Sequence, residues 1–180
     1  LTKKLREKGV KIGIGAVITT ETNENVEDII DLARSLGVSF RFQPVHNEKI
    51  TGLAPSDKKL LFEKHEHDSL KKTFDKIIYY GKVSWIDKIY YKLCPIFLTN
   101  PKLTNNIKCS VAGRMIFFIN PYGNVFPCES RRDSGLGNIK NKRFNEIIFS
   151  NEAFKFRREL LSKKKCVCWW RCVAPHNIMY

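Results

Sequence analysis

Long apolar runs are missing from this 180-residue sequence. No stretch approaches the roughly 18–20 consecutive apolar residues that a membrane-spanning helix needs, so no membrane span is expected. Residues 1–6 are not followed by an apolar segment of the kind a secretory signal peptide contains, which favours a cytoplasmic protein. The sequence also lacks an initiator methionine, so we expect Leu1 to begin a fragment of a longer protein.

Acidic side chains are scarce, since 18 Asp and Glu stand against 32 Lys and Arg and the formal net charge is +14. Such an excess can attract nucleic acid or an anionic membrane surface. The basic residues are scattered along the chain rather than gathered in one stripe, so the sequence does not favour nucleic acid as a partner. Hydrophobic residues make up 43% and aromatic residues 12%, which is enough for a packed core.

The first part of the chain has the pattern of a βαβ unit. Residues 10–18 form a nearly continuous apolar run, which is typical of a strand buried on both faces. Apolar residues at helical spacing follow and stop at Gly37, and residues 38–43 then alternate like a strand. The sequence therefore predicts α/β architecture for residues 1–55. Residues 56–107 are predicted to be a helical connection, with a short helix at 85–93.

The third segment, residues 108–180, has the pattern of a small α+β domain. Short apolar stretches are separated by turn residues such as Pro121 and Gly123, which is typical of a β-hairpin followed by short helices. The predicted order is a hairpin over 114–126, a second turn at 135–138, a helix at 142–149 and a helix at 152–162 capped by Ser150 or Asn151.

The six cysteines are concentrated towards the end of the chain, five of them within the last 72 residues. Cys109 precedes the predicted hairpin and Cys128 follows it, so strand pairing should bring these two thiols together. Cys166, Cys168 and Cys172 then lie within seven residues in the tail. Two thiols from the hairpin and two from the tail could form a four-thiolate site, which suits an iron–sulfur cluster or zinc.

The cysteine spacing fits zinc poorly, because zinc sites usually supply ligands as pairs separated by two to four residues. Here 18 residues separate the first two thiols, and the tail reads C-x-C-x3-C. A four-cysteine zinc module that binds nucleic acid and a stand-alone iron–sulfur electron carrier remain open as alternatives. Cys94, which lies apart from the other five, is interpreted as a buried structural cysteine, with a substrate-side residue or a fourth ligand in place of a tail cysteine as the alternatives.

Several short motifs within this segment occur in a characteristic order. They are Cys109-Ser-Val-Ala-Gly, Asn120-Pro-Tyr-Gly-Asn-Val-Phe-Pro-Cys128, Leu136-Gly-Asn-Ile and the closing C-x-C-x3-C. This order, over about 72 residues, resembles the SPASM/twitch domain of radical S-adenosylmethionine (SAM) enzymes. The resemblance implies one auxiliary [4Fe–4S] cluster held by Cys109, Cys128 and two tail thiols. Cys168 and Cys172 are the favoured tail ligands, with Cys166 as the substitute.

The same resemblance makes residues 1–55 the last βα units of a partial, TIM-like (β/α)6 barrel. The intact enzyme is then expected to use SAM and a second [4Fe–4S] cluster to form a 5′-deoxyadenosyl radical, with a ferredoxin or flavodoxin as electron donor. The substrate is unidentified: a peptide, a lipid or a small metabolite. The radical-generating motif of the family, C-x3-C-x2-C, is absent from this sequence, so the fragment alone is not expected to cleave SAM.

Active sites of such barrels lie at the carboxyl ends of the strands. Thr19 and Thr20 follow the first predicted strand, and Gln43, Pro44 and His46 follow the second. The resemblance therefore implies that these residues lie near the adenosyl group or the substrate.

Overall fold

The computed structural model describes residues 2–45, 60–81, 83–104, 108–162, 169–171 and 173–179. These residues form two compact units. The first unit contains residues 2–45, 60–81, 83–103 and 169–171, and the second contains residue 104 with 108–162 and 173–179. Within these ranges no helix has the length and apolar character that crossing a bilayer requires.

The first unit combines a two-stranded sheet with helices. Its elements are α1 (Thr2–Glu7), β1 (Gly13–Ile18), a short 3-10 helix (Asn23–Asn25), α2 (Val26–Leu36), β2 (Ser39–Pro44), a second 3-10 helix (Lys64–Glu66), α3 (His67–Gly81) and α4 (Trp85–Thr99). Strands β1 and β2 are parallel, with Gly13 opposite Ser39 and Ile18 opposite Pro44. Gly37 ends α2 with a φ of 61°, a conformation that favours glycine. The predicted βαβ unit is confirmed.

Strand β1 is buried on one face only. Ile18 is fully buried, but Val17 is 46% exposed and Gly13 and Gly15 are also exposed. Alternate residues of a strand face opposite sides of the sheet, so one face of β1 is packed and the other is open. On β2, the side chain of Phe42 is fully buried on the packed face.

The outer edge of β2 is closed by a tyrosine hydroxyl from α4. The N–H of Phe42 donates to the hydroxyl oxygen of Tyr91 at 3.3 Å, and that hydroxyl donates to the carbonyl of Phe42, also at 3.3 Å. The Tyr91 ring stacks on Phe74 of α3, with the ring centroids 5.9 Å apart. Tyr91 therefore both packs in the core and satisfies the backbone of β2 at this residue.

Helix α4 is longer than the predicted helix at 85–93, because it continues through Pro95 to Thr99. Proline removes one backbone donor, but the buried face continues through Cys94 and Phe97, so packing favours the longer helix. The Thr99 hydroxyl donates to the Pro95 carbonyl at 2.8 Å near the end of the helix. At the other end, the N–H of Asp87 donates to the capping oxygen of Ser84.

The second unit contains a three-stranded antiparallel sheet in the order β3-β4-β5, with three helices. The elements are β3 (Phe118–Ile119), β4 (Asn124–Phe126), β5 (Gly137–Asn138), α5 (Phe144–Ile148), α6 (Asn151–Ser162) and α7 (Ala174–Ile178). The predicted hairpin is confirmed, although its first strand is shorter than expected because the N–H groups of Arg114 and Met115 fold back onto the Val111 carbonyl. The predicted turn at 135–138 instead ends in β5. Ser150 caps α6 by accepting from the N–H of Ala153 at 3.2 Å.

Candidate metal centre

Cys109 and Cys128 are both buried in the second unit, with 3% and 8% of their surface exposed. Neither forms a disulfide. The N–H of Gly113 donates to the carbonyl of Pro127 at 2.7 Å, which ties the segment after Cys109 to the residue before Cys128. The hairpin between the two cysteines thus closes on itself next to both thiols.

The electrostatic environment of the Cys128 sulfur has opposing contributions. Burial raises the pKa of the Cys128 thiol, and the neighbouring Cys109 raises it further. Backbone N–H groups of Ser130 and Arg131 donate to the sulfur and lower the pKa, as does the charge of Arg131. Two neighbouring buried thiols with N–H donors fit a thiolate-bound metal centre, because a bound cation favours the deprotonated form and the donors stabilise it.

Helix α6 supports the segment that follows Cys109. Gly113 has a φ of +68°, and a Cβ at this position would lie only 3.3 Å from atoms of Phe156 and Pro127. The guanidinium of Arg157 donates from Nε to the Gly113 carbonyl at 2.6 Å and from Nη2 to the Ile148 carbonyl. Sequence reasoning did not identify Arg157, because it lies 44 residues from Gly113 and in an ordinary helical pattern.

The C-terminal helix α7 holds the residue next to Cys109. Asn177 is 6% exposed, and its Oδ1 accepts hydrogen bonds from the Ser110 N–H at 2.8 Å and from the Ser110 hydroxyl at 3.1 Å. Asn177 was also missed by sequence reasoning, since it carries no metal-ligating group and no recognisable motif. Its contact shows that the end of the chain contributes to the surroundings of the first thiol.

The three predicted tail ligands, Cys166, Cys168 and Cys172, lie outside the described residues. The part of the chain that the structure does describe contains no group of three or more Cys, His, Asp or Glu side chains arranged as a metal site. Cys94 is fully buried in α4, and burial raises the pKa of its thiol well above the ordinary value.

The residues predicted to approach the adenosyl group or the substrate are only partly described. Thr19 and Pro44 are buried and Gln43 is half-buried at the carboxyl ends of β1 and β2, whereas His46 lies outside the described residues. The Thr19 hydroxyl lies 3.2 Å from the hydroxyl of Thr22, so it takes part in a local turn. The N–H of Thr20 donates to the Leu60 carbonyl at 3.4 Å.

Comparison with protein families identifies the segment that contains the cysteines. Residues 109–173 match the family model of SPASM, described as an iron–sulfur cluster-binding domain. This match confirms the resemblance of the segment's motifs to the SPASM domain. The match covers about a third of the chain and favours iron–sulfur over zinc at the paired thiols. No curated protein matches the chain.

Proposed function

We propose that this chain is the C-terminal part of a radical SAM enzyme and that residues 108–180 bind one auxiliary [4Fe–4S] cluster. The ligands are Cys109, Cys128 and two tail cysteines, with Cys168 and Cys172 favoured and Cys166 as the substitute. The observation that carries the proposal is the SPASM match, which begins at one of the two buried thiols and includes the other. SPASM domains are typical of radical SAM enzymes.

The second unit supplies what such a cluster requires from the protein. When bound, the cluster would provide one-electron chemistry, and SAM with a second cluster in the intact enzyme would provide the organic radical. The buried side chains of Val111 and Val125 exclude water near the hairpin, and the N–H groups of Ser130 and Arg131 stabilise negative charge on Cys128.

We further propose that β1, α2 and β2 belong to the last βα units of a partial (β/α)6 barrel. Two observations support this. The Tyr91 hydroxyl occupies the outer edge of β2 at Phe42, whereas β1 has no second partner among the described strands. The exposed Val17 also leaves apolar surface for further packing. In this arrangement Thr19, Gln43, Pro44 and His46 lie near the adenosyl group or the substrate, and a ferredoxin or flavodoxin supplies electrons.

Metal analysis after anaerobic reconstitution tests the cluster. The chain should bind about four iron and four sulfide ions with a broad brown absorbance. Cys109→Ser and Cys128→Ser should lose the iron, and the buried Cys94→Ala should retain it as the matched control. Stoichiometric zinc with no iron after anaerobic purification would reject the proposal in favour of the zinc module.

The gene region upstream of Leu1 tests the enzymatic part separately. It should encode C-x3-C-x2-C, and the longer protein should bind about eight iron ions and cleave SAM. An upstream region without this motif would refute the radical SAM assignment. The cluster assignment would survive that result, and the stand-alone electron carrier would then be the better interpretation.

A further inference from the structure

An open groove with a volume of about 1040 Å³ lies in the second unit beside helix α6. We call it the α6 groove. Its apolar lining is made by Phe117, Ile148, Phe149, Phe154 and Leu161. Phe149 and Phe154 are 64% and 54% exposed, so two phenylalanine side chains are open to solvent in one concave surface. Exposed apolar side chains that share a concavity indicate a binding site, whereas the same side chains scattered singly do not.

The charges that line the α6 groove all have one sign. The ionisable lining residues are basic, namely Arg114, Lys155, Arg157 and Arg158, and none of the described lining residues is acidic. Among the ion pairs that the described residues form, none involves these four side chains. Burial lowers the pKa of the Arg157 guanidinium, and the charge of Arg114 lowers it further, so like charges lie close together in the groove.

A ligand that fits the α6 groove must therefore supply both negative charge and apolar side chains. Carboxylates relieve the repulsion among the cations, and arginine binds a carboxylate through two parallel donors. Apolar side chains cover the exposed phenylalanines. An acidic peptide carries both kinds of group along one chain. The volume lies at the upper end of the roughly 300–1,000 Å³ of small-molecule pockets, and the groove is open, which suits an extended segment.

Two other occupants fit this lining less well. Nucleic acid bound in this way stacks its bases on free aromatic faces. The Arg157 guanidinium already lies over the Phe154 ring, 5.2 Å from its centroid, and the Phe117 ring packs edge-on against Phe144 at 5.4 Å. A second copy of this chain would bring the same net charge of +14, so electrostatic repulsion disfavours self-association.

We propose that the α6 groove docks an acidic peptide segment of a partner protein. Carboxylates of the segment pair with Arg114, Lys155 and Arg158, while its apolar side chains pack on Phe149 and Phe154. The description of the SPASM family names iron–sulfur binding and gives this groove no role. The inference uses no cysteine, so it holds or fails separately from the proposed cluster.

Fluorescence anisotropy with labelled peptides tests the docking site on the full chain. The probe is a short peptide in which glutamate alternates with leucine. Glutamine replaces glutamate in a second peptide, serine replaces leucine in a third, and a labelled oligothymidylate represents nucleic acid. The wild type should bind the glutamate–leucine peptide about tenfold more tightly than either substituted peptide, and added salt should weaken this binding.

Variants of the lining show where the peptide binds. The double variant Lys155→Gln with Arg158→Gln removes two exposed charges and should weaken binding about tenfold, and Phe154→Ser should weaken it about fivefold. Lys140→Gln and Tyr122→Ser are matched controls, because both residues are exposed in the second unit and lie outside the groove. Both controls should bind like the wild type. Circular dichroism melting checks the fold, and the charge variant decides the question if Phe154→Ser melts early.

Four results would overturn the inference. Equal binding of the glutamate and glutamine peptides would show that the groove does not select negative charge. Equal binding by the lining variants and their controls would place the peptide elsewhere on the basic chain. Tighter binding of the oligothymidylate, lost in the lining variants, would identify nucleic acid as the occupant. A wild-type dimer in analytical ultracentrifugation that Phe154→Ser dissociates would identify a second copy.

Discussion

Replacing Asn177 with alanine should loosen the segment that carries Cys109. The Oδ1 of Asn177 accepts two hydrogen bonds from Ser110, and its side chain is 6% exposed. Alanine leaves the N–H of the half-buried Ser110 without its acceptor, which costs about 1–1.5 kcal/mol, the lower part of the range for a fully buried donor. A loss of about 1.4 kcal/mol corresponds to a tenfold larger population in which helix α7 is detached from Ser110.

The matched control is Ser110→Ala, which removes the 3.1 Å hydroxyl contact but keeps the 2.8 Å backbone hydrogen bond to Asn177. This variant should lose only about 0.5–1 kcal/mol, or less than about sixfold in the same population. Hydrogen exchange of peptides 108–113 and 173–179 in the metal-free protein measures both effects, and chelator-driven iron release measures them in the loaded protein. Equal effects of the two variants would show that the Ser110 N–H does not depend on Asn177.

Three further predictions concern single residues. Cys109→Ser and Cys128→Ser should reduce bound iron from about four ions towards zero, whereas Cys94→Ala should keep the iron and cost about 1 kcal/mol of unfolding free energy, measured by urea denaturation. Gly113→Ala should destabilise the second unit by about 1–2 kcal/mol from its positive φ and somewhat more from contact with its neighbours. Gly9→Ala is the control, because Gly9 has a φ of +77° but no atom within 4 Å of the added Cβ, so this variant measures the backbone contribution alone. Hydrogen exchange should rise more in the second unit of Gly113→Ala than in the first unit of Gly9→Ala, and an equal rise would contradict the packing argument. Burial raises the pKa of Cys94 well above its ordinary 9.0, so the folded state keeps the proton while the unfolded state loses it. Stability of the first unit should therefore fall as the pH rises above about 9, and Cys94→Ala should weaken this dependence in urea titrations.

The parts of the fold that depend on local sequence could be predicted. The helix stop at Gly37 and the turn after Asn120 each depend on a few neighbouring residues, so the βαβ unit and the hairpin followed from the sequence. Which face of β1 is packed could not be predicted, because that depends on which face of the sheet the helices cover. The length of α4 could not be predicted either, because it depends on the packing of residues beyond Pro95. This packing outweighs the loss of the backbone N–H donor that proline lacks.

The paired thiols of the candidate site followed from cysteine spacing, but the residues that surround them did not. Ser110 and Asn177 are 67 residues apart, so no local pattern connects them. Their side chains carry no signal for metal chemistry. Which tail thiols act as ligands stays a prediction.

The contact between Ser110 and Asn177 also sets an order of events during synthesis. Ser110 emerges from the ribosome well before its partner, and a contact across 67 residues requires a long loop to close. Until α7 has been made, the N–H of Ser110 lacks the acceptor that orders the residue beside Cys109. The surroundings of this thiol are therefore completed late, and delivery of iron and sulfide before that point would meet a nascent chain in which Cys109, the first of the proposed ligands, is not yet held in place.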